Sequence, residues 1–316
     1  MREAMETTIV TLSISKRIAM LTFPALLALG CGGGSSPFDR QPVGPQPHQT
    51  TVSGNAVKGA VRNALVTVSP IAGGAVGEPI AATATTDVFG DFAITGTQSL
   101  SGPVLVELRA AADGTSSMVC DLPRGCGGGM GFGDVFPLEG DFKLRALIPD
   151  ISGGLQGISL NIFSELAATL VLDGAGTIDG GAITAANNQV VGLFDLDGPP
   201  FRLNVRDPSG DRFPEVDADD QLASLLSVGI LGSVSESPRH DIGFALEGFR
   251  QAFLNAGGQI PVAGETADDP LLSLRRILTE ALAAAEDPLI RERMREEALD
   301  RLRSRAEAAG ALATDE

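Results

Sequence analysis

The chain has 316 residues and a formal net charge of −17 at pH 7. So acidic a surface repels nucleic acid and anionic lipid headgroups alike, which excludes nucleic acid as a partner and means that a basic patch cannot hold the chain to a membrane. Fourteen Phe stand beside no Trp and no Tyr, which disfavours carbohydrate recognition and the usual aromatic binding hot spots.

The chain opens with an address. Lys16 and Arg17 precede IAMLTFPALLALG, an uncharged run too short for a spanning helix, which needs about 20 apolar residues. A basic region, an apolar region and a small residue before Cys31 read as an export signal over 1–30. Ala28-Leu29-Gly30-Cys31 resembles the lipobox of bacterial lipoproteins, with Ala28 where that family more often has Leu. The resemblance implies that the Cys31 thiol takes diacylglycerol, that the signal is removed before it, and that the new amino group is acylated. Acyl burial contributes about 0.8 kcal/mol per CH₂, and two or more chains anchor stably. By the same resemblance, Gly32 rather than Asp after the cysteine implies the outer membrane. An ordinary cleaved signal is the rival reading. Residues 31–50, rich in Gly, Ser, Pro and Gln, read as a flexible tether in which His48 is simply solvated.

Residues 51–148 read as all-β: short runs rich in β-branched residues, punctuated by Gly, Asn, Asp and Pro. In ALVTVS, Leu65, Thr67 and Ser69 alternate with Val66 and Val68, the period of a half-buried strand. The order Gly54, Val57-Lys58-Gly59, Asn63 to Val68, then Thr85-Thr86-Asp87-Val88-Phe89-Gly90-Asp91-Phe92 resembles a carboxypeptidase-regulatory-like domain. The resemblance implies a transthyretin-like β-sandwich, generally a non-catalytic spacer or adhesive module. In it Asp87 caps a turn, Gly90 takes a positive φ and Phe92 fills the core. Cys120 and Cys126 lie in CDLPRGC. Export favours a bridge between them, which contributes roughly 2–3 kcal/mol for so short a loop. A zinc half-site is the alternative, poor for want of further ligands.

Residues 150–316 read as helical. The expected helices are 159–172, 180–198, 217–231, 240–258, 268–287 and 287–310. The last two open with Asp-Pro, an N-cap followed by Pro at the first helical position. In the final helix Asp287–Arg291 and Glu297–Arg301 are spaced as supporting i,i+4 pairs. Ala186-Asn187, Val190 and Leu193-Phe194 resemble a helix found behind the β module in certain exported lipoproteins.

Catalytic signatures are absent: there is no G-x-S-x-G, no H-E-x-x-H and no G-x-x-x-x-G-K. His240 beside Asp241 reads as a helix start or a dyad. The acidic stretch 195–220 offers Asp207, Asp211, Glu215, Asp217 and Asp219 as weak calcium candidates. The twelfth position from Asp207 is Ala218, so the EF-hand spacing fails.

The expectation is therefore an α+β, multidomain chain: an N-terminal Ig/transthyretin-like β-sandwich and a C-terminal α-helical domain. It would be a lipoprotein held to the bacterial envelope through Cys31, non-catalytic, with an envelope protein or glycan as partner and no cofactor beyond possible calcium. The alternatives are a carbohydrate-binding surface module and an envelope hydrolase using a carboxylate pair.

Overall fold

The computed structural model describes residues 50–96, 100–126, 129–138, 140–152, 155–174, 176–234, 242–262 and 272–312. The expected signal, Cys31, the tether with His48, and the His240–Asp241 pair lie outside the described residues.

The strands are β1 (Thr50–Ala56), β2 (Val61–Arg62), β3 (Leu65–Ala72), β4 (Ala75–Val76), β5 (Ala84–Thr85), β6 (Asp91–Gly96), β7 (Val104–Arg109), β8 (Ser117–Val119), β9 (Val135–Pro137), β10 (Lys143–Ile148) and β11 (Leu155–Leu160). The helices are α1 (Ile162–Leu172), α2 (Gly180–Phe194), α3 (Ala218–Val234), α4 (Ile242–Asn255), α5 (Leu274–Glu286), α6 (Pro288–Arg291) and α7 (Glu296–Ala308). The fold is mixed α+β.

Alternation builds the strands, except that Ser69, expected on the face opposite Val66 and Val68, is buried as they are. Val66 and Val68 are buried while Leu65 faces solvent, and Phe92 and Ile94 are buried around exposed Ala93. β1 is the middle strand of the order β11-β1-β6, antiparallel to β6 and parallel to β11. A second sheet runs β10-β7-β3-β4, with β5 also on β3, and a third runs β2-β8-β9. The turn into β6 has the chemistry its sequence requires. Asp87 Oδ1 accepts from the N–H groups of Phe89 and Asp91 at 2.8 and 2.9 Å, and Gly90 has φ +81°.

Two elements differ from the sequence reading. Residues 159–160 belong to a strand, and the helix begins only at Ile162. Asn161 stops the strand by accepting from Ser164 N–H, while Ser164 Oγ accepts from Asn161 N–H, a reciprocal cap. The expected helix 287–310 is two pieces. Asp287 caps α6 through Leu289 N–H, with Pro288 at its first position. The chain then leaves helical geometry so that Arg295 N–H can donate to Gln221 Oε1 at 2.7 Å and Arg293 can reach the carbonyls of Pro208 and Ser209. Neither expected i,i+4 pair forms: Arg291 pairs with Glu296, and Arg301 with Asp219 and Asp197.

Strands and helices share one hydrophobic core, in which Val52, Ile94 and Val106 belong to the same cluster as Leu166, Leu226, Phe253, Ile277 and Leu299. α3 is buried on nearly every side, as a helix apolar all round should be. Gly229 lets α5 approach it closely, since a Cβ there would strike the Ile277 carbonyl.

Candidate functional site

Two clusters of buried charge stand out, because an ionised group without a partner inside a protein is costly. The first lies where β1 ends. Val57 and Ala60 form an isolated bridge around a turn in which Gly59 has φ +71°. A side chain at Gly59 would collide with the Val119 carbonyl, so the turn sits directly against the end of β8. That places Lys58, fully buried, with its Nζ 2.7 Å from Oδ2 of Asp121, itself 2% exposed. Asp121 Oδ1 is buried with no hydrogen-bond partner. Asp121 is held by the Cys120–Cys126 disulfide, which forms as one of the two sequence readings required. Cys120 N–H donates to the Asp134 carbonyl at 2.8 Å, and its own carbonyl accepts from Gly133 N–H.

Asp207 belongs to the same cluster. Its Oδ2 accepts from Ala60 N–H at 3.2 Å and its Oδ1 from the N–H and hydroxyl of Ser209. Burial, and after it the charge of Asp121, push its carboxyl up to about 6. A cavity of about 220 Å³, bordered by Val57, Ala60, Val119 and Asp207, opens beside it.

The second cluster joins β10, α1 and α4. Arg145 gives Glu165 its backbone N–H (2.7 Å) and its guanidinium, with Nη2 at 2.6 Å from Oε1, and reaches Asp173 at 3.1 Å. Arg250 pairs with Asp173 and Glu247. Burial pushes the Glu165 carboxyl up, against the pull of Arg145. Burial also opposes ionisation of Asp173, but the hydrogen bond and charge of Arg145 win and hold its carboxyl below the ordinary range. A cavity of about 210 Å³ reaches this cluster past Lys143 and Glu247. Every charged group in it is matched by an opposite one, which makes it a latch between sheet and helices.

Comparison of the chain with protein-family models, curated proteins and solved structures finds no match. The site must therefore be read from its own geometry.

The five acidic candidates do not converge. Asp207 is buried against Ala60 and Ser209, while Asp211 is exposed with Arg293 at 3.7 Å. Glu215 is exposed, Asp217 caps α3 through Asp220 N–H at 2.9 Å, and Asp219 pairs with Arg301. Among the described residues no group of three or more His, Cys, Asp or Glu side chains could hold a metal ion. Sequence reasoning found Cys120 and Cys126, and placed Asp207 in the wrong company. It passed over Lys58, Asp121, Arg145, Glu165 and Arg250 as site residues. A signal was there: Lys58 in NAVKGAV and Glu165 in IFSELAATL are each the one charge within an apolar run, and Arg145 stands among the apolar residues of KLRALI, where burial demands a partner.

Proposed function

We propose that the chain is a lipoprotein of the bacterial cell envelope, anchored through Cys31, in which a transthyretin-like β-sandwich carries the helical half in a structural or binding role without catalysis. The observation that carries this reading is the Cys120–Cys126 disulfide, a bond that persists in oxidising compartments outside the cytosol. It agrees with an export signal ending at a lipidated cysteine. Two sheets containing antiparallel strands, β10-β7-β3 and β11-β1-β6, are compatible with the sandwich reading. Among the described residues no helix is long and apolar enough to cross a membrane.

The buried charges favour the structural role over the hydrolase. Asp121 and Asp207 are a carboxylate pair, but Lys58 covers one and the oxygens of the other already accept from Ala60 and Ser209. A glycan platform is no better served. Phe89 is half-exposed, but Arg212 lies over its ring at 4.1 Å.

Intact mass spectrometry of the protein from membranes of its own host, beside a Cys31→Ser variant, tests the reading. The expected product begins at Cys31 with added acyl mass that the variant lacks. An unprocessed, unmodified chain in the soluble fraction would overturn it.

A further inference from the structure

The Lys58–Asp121 pair is a buried salt bridge that leaves part of its hydrogen-bonding capacity unused. A buried ion pair stabilises only when its geometry is good and every remaining lone pair and proton is satisfied. This one is unsatisfied on both sides. Among the described residues the Lys58 ammonium, with three protons to donate, finds one acceptor, Asp121 Oδ2, while Asp121 Oδ1 finds no donor. Both side chains are almost entirely out of water. Nζ at 2.7 Å from Oδ2 is held against the carboxyl group whose carbon it would attack, and such fixed proximity replaces the entropy cost of encounter.

The backbone holds both partners in place. Gly59 presses the Lys58 turn onto β8, and Val119 N–H donates to the Ala60 carbonyl at 3.2 Å. Asp121 follows Cys120 inside the disulfide loop. Asp207 is near enough to feel the charge of Asp121, and its Oδ2 accepts from Ala60 N–H, two residues beyond Lys58.

We propose that Lys58 and Asp121 condense to an intramolecular amide between Nζ and Cγ, with Asp207 as the proton relay. Asp207 passes a proton to the Asp121 carboxylate and receives one from Nζ. The Nζ lone pair attacks Cγ, and a tetrahedral centre forms. One Asp121 oxygen leaves with two protons as water. The balance is one ammonium and one carboxylate giving one secondary amide and one water, so no oxidant or outside reagent is needed. The elevated carboxyl of Asp207 suits the relay, because it holds a proton at mildly acid pH. The product removes both buried charges. It also closes residues 58–121 into a covalent loop that fastens the end of β1 to β8, independently of how the chain reaches a membrane.

Peptide mapping of the denatured, reduced full-length protein decides the matter. The expected result is a branched peptide joining the Lys58 segment to the Asp121 segment, lighter than their sum by one water, with no tryptic cleavage after Lys58. Lys58→Ala and Asp121→Ala should each abolish it. Asp207→Asn, isosteric and unable to relay a proton, should fold with the same circular dichroism and leave the branched peptide at least tenfold less abundant. A linear Lys58 peptide of full mass from folded wild-type protein would overturn the amide. A branched peptide at wild-type abundance in Asp207→Asn would overturn the role of Asp207.

Discussion

At the scale of single residues, the costs follow from what each side chain or its absence touches. Gly54 lies on β1 where β11 crosses it, and a Cβ there would overlap the Ile158 backbone. Gly54→Ala should therefore destabilise by roughly 1–3 kcal/mol, the usual cost of overpacking. Gly192 is the opposite case, exposed inside α2 with open space around it. Gly192→Ala should stabilise by about 0.5–1 kcal/mol through the lost entropy of the unfolded chain. Urea midpoints of the two variants should move in opposite directions. Arg145→Met should cost about 3–5 kcal/mol, because it strands Glu165 without its buried partner. Glu165→Gln added to that variant should recover part of the loss, and a double-mutant cycle measures how much. Asp207 gives a pH dependence of its own. Its folded value of about 6 lies above the unfolded value of about 3.9, so the folded state holds the proton more tightly. The associated stabilisation is complete below about pH 4 and is lost as pH rises through 6, at most about 3 kcal/mol in all. Burial is its main cause, so the trend survives whether or not Asp121 keeps its charge. Urea unfolding at pH 4.5 and 7 should show this slope in wild type and a flatter one in Asp207→Asn.

At the scale of elements, legibility tracked how local the determinants were. The Asp87–Phe92 turn was readable because its hydrogen bonds close within five residues. The strands around Val66 and Phe92 were readable because one face is buried and the other is not. β11 was not, because its short run continues into α1, whose sides are nearly all buried, and period alone cannot divide such a run. The cap Asn161-Ile-Phe-Ser164 was the available signal. The break between α6 and α7 was invisible for a different reason. Local sequence favours helix throughout, but Gln221 on α3, fully buried, accepts from Arg295 N–H and donates to the Phe213 and Arg293 carbonyls. Gln221 lies more than seventy residues before Arg293 and Arg295 along the chain. Gln221→Ala would leave these buried backbone groups unpaired. The expected loss is roughly 2–4 kcal/mol, read as a lower urea midpoint, and a change within 0.5 kcal/mol would show that the break has another origin. The two charge clusters share this property. Lys58 and Asp121, or Arg145 and Glu165, carry no spacing that could announce their pairing. Only the topology brings them together.

At the scale of the whole molecule, the change of composition near residue 150 does not coincide with a break in packing. β1, the first described strand, has β11 on one side and β6 on the other, so the sheet is incomplete without residues 155–160. α1 follows β11 after one residue and places Glu165 against Arg145 in β10. Asn55 on β1 donates to the Val205 carbonyl at 3.0 Å, and Asp207 tethers the same turn. Residues 47–316 accordingly form one compact unit, and the strand region depends on the helical region for a strand, a buried counter-charge and part of its core. A fragment of residues 51–148 would expose the β1 edge and leave Arg145 buried without an acid, two costs that a small core does not offset. Such a fragment should fail to give a cooperative urea transition by circular dichroism. The full chain should unfold with coincident far-ultraviolet dichroism and Phe near-ultraviolet signals, as one unit does. Two separated transitions, with the fragment folding alone, would mean that the shared core contributes little and that the halves are independent domains.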